Sequence, residues 1–245
     1  MDQPPLDHYL SPSRILVSPQ HVAGEGNSLT TLKALKDRAP GWSLQSHTDT
    51  GEICLTSPDG AITFRYHALA TAPEPRWTAA HTGPRPWTAT LSCHTPRELA
   101  HALLDPLTRL PCELDHGIRP LDEMGEDFHA ARWRRTAYGT RTVFLSPDRL
   151  CTLSHTPHEE TAWRIETQAP HSDDSERWHL SLSRNAPPQL ARSVIHQLLR
   201  DEPVIRHPRE IPHRLHRYAD IAPIADLSGP PPPPHAPTPP PGRSR

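Results

Sequence analysis

Lysine is almost missing from this chain: of 26 basic residues only Lys33 and Lys36 are lysines, and the rest are arginine. Aromatic residues make up 5% and apolar residues 34% of the 245 positions, too few for the whole length to be packed into a core. No apolar run approaches the roughly 20 residues of a membrane-spanning helix. Met1-Asp2-Gln3-Pro4-Pro5 has no basic region with an apolar run behind it, so no secretory signal is expected and the chain reads as cytoplasmic. The four cysteines, Cys54, Cys93, Cys112 and Cys151, show no C-x-x-C spacing, which points to reduced, partly buried thiols. A formal net charge of −2 excludes a basic footprint spread over the whole surface, of the kind that binds nucleic acid or anionic lipid.

Catalytic and metal signatures are missing too. Ser57 and Ser146 lack the G-x-S-x-G elbow that exposes a nucleophile. Eighteen histidines contain no H-E-x-x-H and no zinc-finger spacing. Their closest grouping, His207, His213 and His216, lies in a proline-broken segment that would not hold them in place. Gly24-Glu25-Gly26 is too short for a phosphate loop and lacks its lysine. Accordingly no catalytic residue, metal ligand or cofactor is assigned, and ligand-binding residues stay unknown.

What is present is a duplication. Trp42 returns as Trp133, Ser57-Pro58-Asp59 as Ser146-Pro147-Asp148, Trp77 as Trp163 and Trp87 as Trp178. The helix opening Thr95-Pro96-Arg97-Glu98-Leu99 returns as Ala186-Pro187-Pro188-Gln189-Leu190. The offsets are 91, 89, 86, 91 and 91 in chain order, so insertions and deletions fall between landmarks, as loops permit. All six tryptophans form three pairs under this one alignment.

Local patterns give each half the same plan. Ser28 is a candidate N-cap for a helix carrying Leu29, Leu32 and Leu35. Alternation in Ile62, Phe64 and Tyr66, and in Trp178, Leu180 and Leu182, predicts antiparallel strands with one buried face. Pro58-Asp59-Gly60 is a turn: proline presets φ, aspartate bonds the backbone ahead, and glycine accepts positive φ. Arg149 replaces that glycine in the second half, so the turn there must differ in type or carry strain. Turn chemistry accounts for Asp59 and Asp148 without catalysis. Thr95 and Glu98 fit a capping box, with Leu99, Leu103 and Leu107 as the buried stripe and Pro106 as a kink or end. Leu121, Met124 and Phe128 predict the second half's own leading helix.

The set Ile15-Leu16-Val17-Ser18-Pro19, Gly41-Trp42, Ser57-Pro58-Asp59-Gly60, a strand tryptophan and Thr95-Pro96-Arg97-Glu98 resembles the actinobacterial SPDY domain, also called DUF317. Proteins of that family often carry two copies. The resemblance spans about residues 14–201, and implies no activity and no catalytic residues.

The reading is an α+β protein of two tandem similar units, each an antiparallel sheet packed with a short N-terminal helix and a longer C-terminal one. The boundaries are a disordered arm at 1–13, units at 14–110 and 119–201 with a linker at 111–118, and a Pro-rich, mostly disordered tail at 202–245. The units are expected to pack as a pseudo-dimer. Trp42, Trp77, Trp87, Trp133, Trp163, Trp178, Pro58, Asp59, Pro147 and Asp148 are structural landmarks. Functionally the leading reading is a non-enzymatic interaction module binding a protein partner through a sheet face or inter-repeat groove, with the proline tail as a second contact. A DNA-associated accessory protein using the Arg/His-rich segment 204–217 is the alternative, and an enzyme the third.

Overall fold

The computed structural model describes residues 14–71, 74–109, 121, 124–167, 177–200 and 202–224. The expected arm, the linker and the proline-rich end after residue 224 lie outside the described residues.

From Ser43 the chain runs as an antiparallel meander: β2 (Ser43–His47), β3 (Glu52–Thr56), β4 (Ile62–His67), β5 (Pro75–His81) and β6 (Trp87–Ser92). α1 (Ser28–Arg38) precedes it and α2 (Arg97–Arg109) follows. The order then repeats with α3 (Gly125–Ala130), β7 (Arg134–Tyr138), β8 (Arg141–Leu145), β9 (Cys151–His155), β10 (Thr161–Thr167), β11 (His179–Ser183) and α4 (Pro188–Leu199). The two meanders join through β6 and β11 into one ten-stranded sheet.

That seam is self-complementary. Thr90 faces Ser181, with Leu91 opposite Leu180 and Ala89 opposite Leu182. Under the duplication Thr90 corresponds to Ser181, Leu91 to Leu182 and Ala89 to Leu180. Each residue therefore meets its neighbour's counterpart, as in an isologous dimer interface. α2 packs on α4 across the same seam, and one core cluster contains buried residues of both halves.

Period-two patterning sorts the side chains. Tyr66, Trp77, Leu91, Leu180, Ile165, Leu153 and Phe144 are neighbours strand to strand and all are buried. The next row, Gln45, Cys54, Arg65, Thr78, Thr90, Ser181, Arg164, Ser154, Val143 and Thr136, crosses all ten strands on the opposite face. It holds short hydroxyl side chains, with Arg65 and Arg164 exposed.

The tryptophans sit in this core. Trp77 and Trp178 are fully buried, Trp87 is 2% exposed, and Trp42, Trp133 and Trp163 stay under 10%. Trp77 packs against Tyr66 with ring centroids 4.5 Å apart, and Trp163 against His155 at 4.0 Å, at matching positions. Burial lowers the His155 pKa, so this imidazole serves as a neutral packing ring.

Several local expectations need correction. Asn27, not Ser28, caps α1, its Oδ1 accepting from Leu29 N–H at 3.1 Å. Leu29 is exposed, and Ser28, Thr31, Leu32 and Leu35 form the buried side. Thr95 and Glu98 form no reciprocal box: the Thr95 hydroxyl donates to Ser92 O, and Glu98 is engaged elsewhere. Pro106 lies inside α2, which continues to Arg109. The proline stands in the last turn, where only the bond to the Ala102 carbonyl is lost.

The largest correction concerns the stretch from 202, expected to be mostly disordered. Val204–Arg206 forms β12, Pro208–Glu210 and His213–Tyr218 form 3-10 turns, and Asp220–Pro223 forms β13. Both strands flank β1 (Ile15–Ser18) in a separate three-stranded antiparallel sheet, ordered β12-β1-β13. Val17, Val22, Val204, Ile211 and Leu215 close a second small core with Leu150 of the second half. Prolines are compatible with this arrangement because they open 3-10 turns and stand on an edge strand.

Candidate functional site

The flanking segments lock onto both halves. Arg206 is 1% exposed and gives two hydrogen bonds to Glu98 of α2, at 2.8 Å and 2.5 Å. Its remaining N–H groups reach Ala23 O at 3.0 Å, Ile205 O at 3.0 Å and Gly24 O at 3.2 Å. Burial opposes the Glu98 anion, yet the hydrogen bonds and charge of Arg206 hold its pKa below the ordinary value. A buried guanidinium with its donors so placed is a joint between the chain's two ends and the first half. Gly24 is essential there. It takes φ +73°, and a Cβ on it would stand 2.2 Å from Glu210 O.

The opposite end of the N-terminal segment meets the second half. A 3-10 turn, Gln20–Val22, follows β1. The His21 carbonyl accepts from Trp178 Nε1–H at 2.8 Å, and Gln20 Oε1 accepts from Gln197 at 2.9 Å. His21 Nε2 lies 2.7 Å from Asp148 Oδ2.

Asp148 owes its place to the duplicated turn. In both halves the serine hydroxyl donates to the aspartate at 2.5 Å, and that aspartate accepts the N–H two residues on at 3.0 Å. Gly60 N–H closes the first turn on Ser57 O at 2.9 Å, and Arg149 N–H the second on Ser146 O at 3.0 Å. Gly60 takes φ +71° and Arg149 φ +63°, so the turn type is unchanged and the arginine carries the strain. Burial disfavours the Asp148 anion. His21, through its hydrogen bond and charge, then Ser146 and the Leu150 N–H outweigh that and bring its pKa to about 2. Such a carboxylate only accepts, so His21 Nε2 carries the proton between them.

This dyad forms part of the wall of a cleft of about 990 Å³. Asp127 and Arg132 contribute from α3 and the residues after it, His196 and Arg200 from α4 and its end, and Tyr218 and Asp220 from the C-terminal segment; Trp133 and Pro147 also line it. His196 Nδ1 stands 3.9 Å from Asp127 Oδ2, both half-exposed. The cleft thus has mixed charge and an aromatic part, and exists only because three separate stretches meet.

The groups around Asp148 are not ordered as a catalytic relay. A nucleophile–base–acid relay needs the imidazole between hydroxyl and carboxylate. Here the carboxylate sits in the middle: Ser146 and His21 both donate to Asp148, and the Ser146 oxygen also accepts Cys151 N–H at 2.9 Å. With a pKa of about 2, Asp148 is too weak a base for proton abstraction near neutrality. Cys151 is buried, which pushes its thiol pKa well up and away from thiolate chemistry. No group of three or more His, Cys, Asp or Glu among the described residues could hold a metal ion.

Sequence reasoning named Pro147, Asp148 and Trp133, which the fold brings to this cleft, while Pro58 and Asp59 lie in the first half's equivalent turn. It missed His21, His196, Tyr218 and Asp220. The available signal was the apolar Ile15-Leu16-Val17 strand, which needs partners, and the apolar Val204-Ile205 beside Arg206. Of the segment 204–217, Arg206 is consumed by Glu98, and Arg209, His213 and His216 remain at the surface or close to it.

Among the described residues no helix is long and apolar enough to cross a membrane. No curated protein and no solved structure matches the chain. The SPDY family model, a domain of unknown function (DUF317), matches at residues 56–111 and again at 145–204. Each match begins at the strand end before the Ser-Pro-Asp turn and runs through the long helix, so two successive stretches of the chain are similar to the SPDY family, one in each half.

Proposed function

We propose that this chain is a non-enzymatic interaction module that grips an extended segment of a protein partner in the cleft beside Asp148. The supporting observation is the cleft's make-up: about 990 Å³ with Trp133, Tyr218, Asp127, Asp220, Arg132 and Arg200 around it. Aromatic and arginine side chains are the usual anchors of protein interfaces. Acidic and basic residues on one rim select a partner segment by charge pattern. The surface therefore shifts from the inter-repeat seam, where α2 and α4 pack together on one side, to a cleft built by one half and the flanking segments. The hydroxyl-rich open sheet face is the competing surface, and residues 229–245 supply a second, peptide-like contact.

Photo-crosslinking with the full chain tests the reading. A crosslinker replacing Arg132 or Arg200 is expected to trap one protein from a lysate of the source cells, and one replacing Thr78 or Thr90 is not. Crosslinks confined to the sheet-face positions would move the interface there. None at Arg132 or Arg200 would remove the cleft as the partner site.

A further inference from the structure

A second cavity, of about 550 Å³, opens where the first half's last strand meets the C-terminal 3-10 turns. His94, Arg209, Glu210, His213 and His216 are its titratable lining, with Pro208, Ile211 and Pro212 as its apolar part. We propose that this cavity binds a phosphate group.

Three observations carry this. First, the cationic group is uncommitted. Arg206 pairs with Glu98, Arg164 with Glu166 and Arg38 with Asp105, whereas the exposed Arg209 guanidinium makes no hydrogen bond or ion pair with a described residue. The only carboxylate among the described lining residues, Glu210, is turned to the backbone, accepting His207 N–H at 2.8 Å. It caps its own turn and leaves the cavity a net donor surface. Second, the imidazoles line a space instead of converging on a point. His213 and His216 stand with ring centroids 6.4 Å apart, and no three His, Cys, Asp or Glu among the described residues are placed to ligate a metal. Donors so spread suit a group with several acceptor oxygens, each about 2.8 Å from its donor. Third, His94 holds a left-handed backbone, φ +65°, a conformation unfavourable for a non-glycine residue and one that clusters at ligand sites. Its counterpart under the 91-residue offset, Asn185, is not among the positive-φ residues. The left-handed residue therefore occurs in one half only, at the position that lines this cavity.

A concave site of this size fits the terminal phosphate of a small monoester better than a duplex backbone, which needs many phosphate contacts along a stripe. The shared chemistry is the phosphate oxyanion, and the two sources are separable.

The test is isothermal titration calorimetry of the full chain with inorganic phosphate, and with sulfate as an oxyanion whose charge is constant over the range used. Saturable binding is expected with both anions. The double variant Arg209→Ala/His213→Gln, at two exposed positions, is expected to bind about tenfold or more weakly at unchanged melting temperature. Arg164→Ala, on the open sheet face, is expected to bind as the native chain does. No saturable heat with either anion at about pH 6, or affinity unchanged in the double variant, would overturn the proposal. A 5′-phosphorylated oligonucleotide binding more tightly than its 5′-hydroxyl form assigns the site to monoesters. Equal binding with steep salt dependence assigns it to nucleic-acid backbone.

Discussion

The two halves share a turn, a strand order and a tryptophan set, yet their corresponding side chains have different employment. Trp178 donates its indole N–H to the His21 carbonyl. The buried Trp87 N–H has no partner among the described residues. Glu98 holds the buried Arg206, whereas the same helix position in the second half is Gln189. Asp148 holds His21, and its turn accepts a strained Arg149 where the first half has Gly60. The Trp178, Glu98 and Asp148 contacts all reach segments present once, residues 14–27 and 203–224. Duplication accounts for the sheet and the joint core, and single-copy flanks impose the asymmetry from which both cavities arise. A symmetric sheet has no reason to bind anything at one end only.

The largest effects come from the tryptophans. Trp87→Ala and Trp178→Ala are each expected to cost about 3–5 kcal/mol in denaturant titration, with Trp178→Ala the costlier because it also leaves a buried carbonyl without its donor. A loss under about 1 kcal/mol at either position would mean a surface aromatic. Next is Glu98→Ala, expected to cost about 3 kcal/mol or more, since it strands a buried guanidinium. Gln189→Ala should cost about 1 kcal/mol or less. Equal losses would show that the Arg206 joint is not a distinguishing feature.

Much of the fold was legible because its signals are local. The Ser-Pro-Asp turn writes its own hydrogen bonds, and period-two apolar patterns place Phe64, Tyr66, Leu180 and Leu182 on the core face without knowledge of the partner strand. The seam between β6 and β11 was not legible, since pairing at an edge depends on a complementary edge far along the chain. The small sheet was hidden for the same reason: β12 has three residues and β13 four, too short to show a period. Both gain their partner only from Ile15–Ser18 at the other end of the chain. The cleft residues inherited that invisibility. His21 and Tyr218 carry no motif, and only the closing of the flanks brings them to Asp148.

Smaller effects sharpen the comparison of the two turns. Arg149→Gly is expected to stabilise the chain by about 1 kcal/mol, because glycine takes positive φ without the Cβ penalty. No gain in melting temperature would mean that the arginine side chain offsets its own strain. A further test is in acid. The Asp148 pKa of about 2 lies below the ordinary aspartate value of about 3.9. Its contribution to stability is therefore present above about pH 4 and lost as pH falls toward 2. Asp148→Asn should flatten the stability-versus-pH curve in that window, and an unchanged curve would show the His21 contact to be energetically idle.

Hydrogen exchange on the native full chain tests the role of the flanks most directly. If residues 14–27 and 203–224 are integral, the amides of Val17 and Val204 exchange as slowly as other core amides and slow down or speed up with them when stability is altered by Glu98→Ala. If those amides exchange at the rates of frayed ends while Leu91 and Leu180 stay protected, the flanks are appendages, and the asymmetry that builds the cleft does not exist in solution.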